Sequence, residues 1–196
     1  INQMIEAAEK INEANPDAIL FSDFGVYNII KKYMSKIPLH VSTQTNILNY
    51  EAVRFWQDLG AQRVVLSRDL SLEQIEEIKN KVPDMELEVF VHGAQCVSFS
   101  GRCLISDYMT KGERKANHGN CSQSCRWSYK LLEETREGEY FDITETERGT
   151  HILSPKDLAL INYLPELIDL GIDSFKIEGR TKSLYYVSAV AKAYRK

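Results

Sequence analysis

Apolar residues along the first ninety positions alternate between two periods. Asp17-Ala-Ile-Leu-Phe-Ser-Asp23 is a short continuous apolar run, and Val26, Ile29, Ile30 and Tyr33 then recur at helical spacing between Gly25 and Lys36. The pattern repeats three times. Pro38 to Gln44 predicts a second strand, followed by a helix over Ile47 to Leu59 with Asn46 as its N-cap and Gly60 just past its end. Arg63 to Arg68 predicts a third strand, and Ser71 with Gln74 forms a capping-box pair opening the next helix. Glu86 to His92 predicts a fourth strand. Further on, Asp157 to Leu170 predicts a helix stopped by Gly171, and Ile172 to Glu178 a strand leading through Gly179 into a last helix.

Strands separated by helices at this spacing imply a parallel sheet covered on its faces, the organisation of βα units. A barrel is the natural closure, although the pattern supplies about six strands where such a barrel needs eight. An open doubly wound sheet is the alternative, and no Gly-x-Gly-x-x-Gly turn supports a dinucleotide site. The expected fold is therefore α/β, a TIM-barrel-like (β/α) domain that is incomplete in this chain. Residues 1–196 read as one partial barrel domain, the strand shortfall fitting a fragment.

The rhythm breaks between residues 93 and 150, which read as an insertion. It holds all four cysteines of the chain, in the pattern Cys96-x6-Cys103-x17-Cys121-x3-Cys125. Positions 101–130 carry six basic and two acidic residues, whereas positions 131–150 carry seven acidic and two basic ones. A segment of this length inside a compact α/β domain is usually functional.

Composition narrows the class. The 196 residues are 43% hydrophobic and 27% charged with a formal net charge of −4, the mix of a globular protein. No apolar run approaches the roughly 18 to 20 residues of a membrane span. The first residues form an acidic amphipathic helix and not a signal peptide, so a cytoplasmic protein without membrane association is expected. Clustered thiols in such a chain point to a metal site and not to a disulfide scaffold. Four converging thiolates suit a tetrahedral zinc or a four-iron cluster, and the wide first spacing is easier for the larger cluster. Reduced core cysteines or disulfides are the remaining readings of the spacing.

The run Glu88-Val-Phe-Val-His-Gly-Ala-Gln-Cys96-Val-Ser-Phe-Ser-Gly-Arg-Cys103-Leu-Ile-Ser106 resembles the signature of peptidase family U32, the collagenase-like proteins. The likeness continues through Cys121-Ser-Gln-Ser-Cys-Arg-Trp127, through Lys176-Ile-Glu-Gly-Arg-Thr-Lys-Ser183, and upstream in His40-Val-Ser-Thr-Gln44. Gln95 departs from the pattern, which has an aliphatic residue there; beside a cluster ligand a glutamine amide would shift its potential. The resemblance implies a TIM-barrel-like catalytic domain, of which this chain would lack the N-terminal βα units and any C-terminal extension. It also implies oxygen-independent hydroxylation of RNA or ubiquinone precursors, with a 4Fe-4S cluster on Cys96, Cys103, Cys121 and Cys125. The motifs most resemble the branch that forms 5-hydroxyuridine at the tRNA wobble position, for which prephenate is implied as an anionic co-substrate and hydroxyl source.

Around this frame, His40, Glu178 and Arg180 are the candidate catalytic residues, because barrel active sites gather at the C-terminal ends of the strands. Arg126, Trp127, Lys176 and Lys182 are candidate RNA contacts, supplying cations for phosphates and an aromatic face for an unpaired base. Two other functions stand beside the hydroxylase. One is a peptidase, as the family title says, although no Gly-x-Ser-x-Gly elbow or His-Glu-x-x-His motif is present. The other is an RNA-binding scaffold with a structural zinc.

Overall fold

The structure is a computed structural model of the 196-residue chain. It describes residues 1–34, 36–96, 98–127, 144–146, 149–151 and 156–195. The elements in chain order are α1 (Asn2–Ala14), β1 (Ile19–Phe21), α2 (Phe24–Tyr33), β2 (Leu39–Val41), α3 (Tyr50–Asp58), β3 (Arg63–Val65), α4 (Leu72–Lys81) and β4 (Glu86–Gly93). Then follow α5 (Ile105–Met109), β5 (Thr144–Thr146), β6 (Gly149–His151), β7 (Leu158–Ala159), α6 (Leu164–Asp169), β8 (Ser174–Ile177) and α7 (Leu184–Tyr194). Contacts divide the chain into two units, Ile1–Gly93 with Leu158–Lys196, and Ala94–Asp157.

The first unit is built on parallel strands in the order β1-β2-β3-β4, with β8 parallel to β4 on its other edge. His92 pairs with Ile177 of β8 and also with Ala159 of β7, which runs antiparallel. A strand residue has only two edges, so β7 takes the edge that β3 leaves free beyond Val65. The fold is thus mixed α/β with a parallel-rich sheet. The described strands do not close into a barrel: β1 pairs only with β2, and β8 only with β4.

Register decides what each face carries. Phe21, Val41, Val64 and Leu87 are aligned across four strands, and Leu87, Val89 and Val91 follow one another along β4. Together with Ile30 of α2, Met34 just after it, Val53 and Trp56 of α3, and Ile75 and Ile78 of α4, they form the buried core. Each such aliphatic side chain contributes about 1.5–3 kcal/mol by leaving water. Successive strand residues face opposite ways, so the other face carries Leu20, His40, Arg63 and Glu86 in one row and Val65, Glu88 and Ser174 in the next.

Local signals place most helices. The Ser71–Gln74 capping box forms as the sequence predicts, with both reciprocal bonds present. Gly60 follows α3 at φ +84° and Gly171 follows α6 at φ +74°, the left-handed region that glycine enters without strain. Two expectations are corrected. Asn46 does not cap a helix; it closes a one-turn 3-10 segment at φ 55°, and Asn49 caps α3 by accepting from the Ala52 N–H at 2.9 Å. The predicted helix over 157–170 is instead strand β7, a 3-10 turn at Ile161–Tyr163 and the short α6, whose first turn holds Pro165. A proline there starts a helix at no cost in hydrogen bonds, whereas upstream the Leu160 N–H is taken by the Val91 carbonyl at 2.9 Å.

Candidate functional site: the cysteine unit and the polar sheet face

The cysteine-bearing unit is held by polar contacts more than by apolar packing. Ser106 is 1% exposed; its hydroxyl donates to the Arg114 carbonyl at 2.8 Å and accepts the Ser122 N–H at 2.9 Å. Ser122 and Ser124, also buried, exchange a hydroxyl bond at 2.5 Å. The Arg114 guanidinium reaches the Asn120 side chain at 3.2 Å and the Cys121 carbonyl at 2.8 Å. Arg126 pairs with Asp157 at 2.9 Å and donates to the Gln95 carbonyl at 3.2 Å. The order Cys121-Ser-Gln-Ser-Cys125 thus has a physical basis: the two serines are the buried pegs and the cysteines on either side of them stay partly open.

All four cysteines are free thiols, with Cys96 exposed and Cys103, Cys121 and Cys125 half-buried. The Gln123 N–H donates to Cys121 Sγ at 3.2 Å, and the Ser98 hydroxyl lies 4.0 Å from Cys96 Sγ. Burial pushes the Cys125 thiol up, Arg126 beside it pulls it down, and the charges of Cys121, Cys96 and Cys103 push it up again. All four cysteines belong to the unit Ala94–Asp157. Among the described residues, no group of three or more His, Cys, Asp or Glu side chains is arranged to hold a single metal ion. An all-sulfur donor set of this kind fits a soft metal centre, and a multi-iron cluster spans a wider ligand set than one ion does.

In the first unit, the sheet face turned away from the helices is charged. Glu88, 9% exposed, is its hub. It accepts from Lys176 Nζ at 2.7 Å, Ser174 Oγ at 3.1 Å and Arg63 Nη1 at 3.4 Å. Burial alone would raise the Glu88 carboxyl, but the Lys176 bond and charge, then Ser174 and Arg63, hold it below its ordinary value. Arg63 also binds Glu86 at 2.8 Å, and the Arg68 guanidinium lies 3.9 Å over the Phe90 ring. His40 is held below its usual value by burial first and then by Arg63. Sequence reading missed Glu88, Arg63 and Arg68; the signal was the polar alternation Glu86-x-Glu88 within an otherwise apolar strand.

The other predicted residues fall as follows. Glu178 follows β8; its N–H donates to the His92 carbonyl at 2.8 Å, and its Oε1 accepts the Arg180 N–H at 3.0 Å. Glu178 Oε2 is buried and has no hydrogen-bond partner. Gly93 makes this approach possible: at φ +114°, an added Cβ would lie 2.2 Å from the Glu178 carbonyl oxygen. Gly179 is equally confined, with Val187 2.6 Å from where a Cβ would be. Lys176 is engaged by Glu88, and Lys182 lies 4.9 Å over the Tyr186 ring. Arg180 is exposed, and Trp127 is 41% exposed. His92 bonds the Tyr194 hydroxyl through Nδ1 at 3.2 Å, and that hydroxyl donates to the Val91 carbonyl at 2.8 Å. The four proposed RNA contacts are divided, Arg126 and Trp127 in one unit and Lys176 and Lys182 in the other.

The sequence profile of peptidase family U32 matches residues 1–196. The chain belongs to peptidase family U32. This U32 chain is 40% identical to the tRNA hydroxylation protein P of Escherichia coli (strain K12) over 235 aligned positions, covering 100% of this chain and 51% of that protein. It is 43% identical over 189 positions to the tRNA hydroxylation protein P of Helicobacter pylori (strain J99), covering 95% and 44%. It is 41% identical over 179 positions to a 23S rRNA 5-hydroxycytidine synthase of Escherichia coli (strain K12), covering 91% and 25%. The U32 chain thus spans about half or less of the length of these relatives. Among its described residues, no helix is long and apolar enough to cross a membrane.

Proposed function

We propose that this chain is the cysteine-bearing catalytic part of an RNA hydroxylase, and that its substrate is tRNA, modified at the wobble uridine to 5-hydroxyuridine. The observation that carries the reading is the gathering of four unbridged thiols in one small unit, in a chain similar to proteins named for tRNA and rRNA hydroxylation. Cys96, Cys103, Cys121 and Cys125 would hold a 4Fe-4S cluster. Bound there, such a cluster supplies one-electron redox chemistry or a Lewis-acidic iron.

The chain's own residues define the surroundings. The Gln123 N–H to Cys121 and the Arg126 guanidinium beside Cys125 stabilise sulfur-borne negative charge. Arg114 and the buried serines fix the Cys121 turn. Replacing C5–H of uridine by C5–OH adds one oxygen atom and removes two electrons, so the reaction needs an oxygen donor and, where that donor is not itself reduced, an external oxidant that takes up two electrons. Prephenate is the candidate donor, and Arg180 with Lys182 after β8 are cations suited to such an anion. His40, neutral at pH 7 and set among Arg63 and Glu88, is suited to proton transfer on the sheet face.

The parallel order β1-β2-β3-β4-β8 runs without the reversal that marks a doubly wound sheet, which favours a segment of a (β/α) barrel with its polar face turned inward.

The test uses the full-length protein purified without oxygen. Iron, sulfide and zinc per chain are measured beside the visible spectrum, and tRNA from cells lacking the native gene is analysed for 5-hydroxyuridine after complementation. About four irons and four sulfides, with hydroxylation lost on Cys121→Ala, support the reading. One zinc and no iron would overturn it in favour of a scaffold.

A further inference from the structure

We propose that the α5 ledge of the cysteine-bearing unit docks unpaired nucleotides of the RNA, with Tyr108 as a stacking platform and Arg102, Lys111 and Lys115 as phosphate contacts. The inference rests on the RNA-substrate reading above and specifies its surface. Leu104 is 76% exposed and Tyr108 84% exposed, among the barest large apolar residues of the described chain. They are one helical turn apart, joined by the Tyr108 N–H to Leu104 carbonyl bond at 3.0 Å, and so lie on the same side of α5. The Leu104 side chain gains nothing in water, and a tyrosine ring with its faces open is what a base stacks upon.

The lysines and arginines between positions 101 and 127 divide into two sets. Arg114 and Arg126 are turned to structural tasks, the first on Asn120 and Cys121 and the second on Asp157 and Gln95. Arg102, Lys111 and Lys115 are exposed beside the ledge, where Glu113 is the one exposed acid between positions 101 and 118. This local positive excess stands out in a chain whose net charge is −4. Bare aromatic surface flanked by outward cations fits single-stranded RNA. A duplex offers no base faces, and a protein partner would be matched by apolar surface with balanced charge. The ledge is also continuous with the cysteine loop. Leu104 directly follows Cys103, and Arg114 ties the segment after Lys111 to the Cys121 carbonyl.

The experiment measures binding of a fluorescent tRNA anticodon stem-loop, and of a fully paired RNA of equal length, to the full-length protein by anisotropy over a salt series. Tyr108→Ala is expected to weaken stem-loop binding about tenfold, and Tyr108→Trp to restore it. The double change Lys111→Ala with Lys115→Ala is expected to lower the slope of log K against log salt by about 1.4, two phosphates' worth on a single strand. Iron and sulfide content should be unchanged in all three. Wild-type binding that the variants reproduce at every salt concentration would overturn the ledge and leave the RNA reading standing. A change in oligomeric state with unaltered RNA binding would also overturn it, making the ledge a protein contact. If the wild-type protein binds neither RNA, the substrate reading fails and the ledge with it.

Discussion

Replacing Glu88 by Gln tests whether the polar face of the sheet is an organised network or a set of incidental charges. The carboxylate is 9% exposed and takes bonds from Lys176 at 2.7 Å, Ser174 at 3.1 Å and Arg63 at 3.4 Å. Removing one member of a buried ion pair costs about 3–5 kcal/mol when the other is left without water. Here Lys176 and Arg63 keep 33% and 25% side-chain exposure, so part of their hydration returns. Gln keeps one acceptor for Lys176, while its amide NH2 turns a second donor toward Arg63. The expected loss is about 2 kcal/mol, read as a lower urea midpoint at unchanged m-value.

The sign of the pH dependence follows from the carboxyl lying below its ordinary value of 4.5 in the fold. Its contribution is fully present above that value and is lost as pH falls through the folded value. The gap between wild type and Glu88→Gln should therefore be full near pH 7 and shrink in acid. A loss under about 0.5 kcal/mol near pH 7, or an equal loss in acid, would refute the network.

Three further outcomes are expected. Gly93→Ala puts a side chain at φ +114° and a Cβ 2.2 Å from the Glu178 carbonyl oxygen, so denaturation should show a loss of about 2–5 kcal/mol, whereas exposed Gly112→Ala in the other unit should cost less. Ser106→Ala removes the hydroxyl shared by Arg114 and Ser122 and should cost about 1–3 kcal/mol; under the proposed cluster it should also speed iron loss to a chelator, and equal retention would separate the serine pegs from the cysteines' placement. His40 should titrate by NMR below its ordinary 6.5, because burial and Arg63 disfavour the imidazolium. Its protonation subtracts from stability as pH falls from 6.5 through the folded value, and a normal or raised titration would contradict the packed face.

Sequence by itself determined whatever rests on neighbours in the chain. The Ser71–Gln74 capping box and the glycines ending α3 and α6 involve partners within a few residues, and the apolar runs of β1 to β4 are continuous in the chain, so spacing and residue type suffice to place these elements. Where two local signals compete, only the fold decides. Asn46 and Asn49 are equally good caps by type, and the left-handed turn at Asn46 assigns the helix to Asn49. The segment after Asp157 reads as a helix because Leu158 and Ala159 are apolar, and it becomes a strand because β4 offers an unpaired edge there.

The site divides in the same way. Four cysteines in one segment are legible from sequence alone as a candidate metal site, since residue type and spacing are properties of the chain itself. What brings Arg63, Glu88, Ser174 and Lys176 together is strand register, set by partners up to 88 positions apart. Each reads in isolation as an ordinary surface polar residue, because burial of a charge depends on which donors the other strands deliver to it. The buried serines and the division of the arginines between structural and outward-facing roles likewise depend on how the chain returns on itself. Sequence specifies the chemical groups and their local backbone. Tertiary structure decides which of those groups share a dry neighbourhood, since contact and desolvation exist only once distant segments meet.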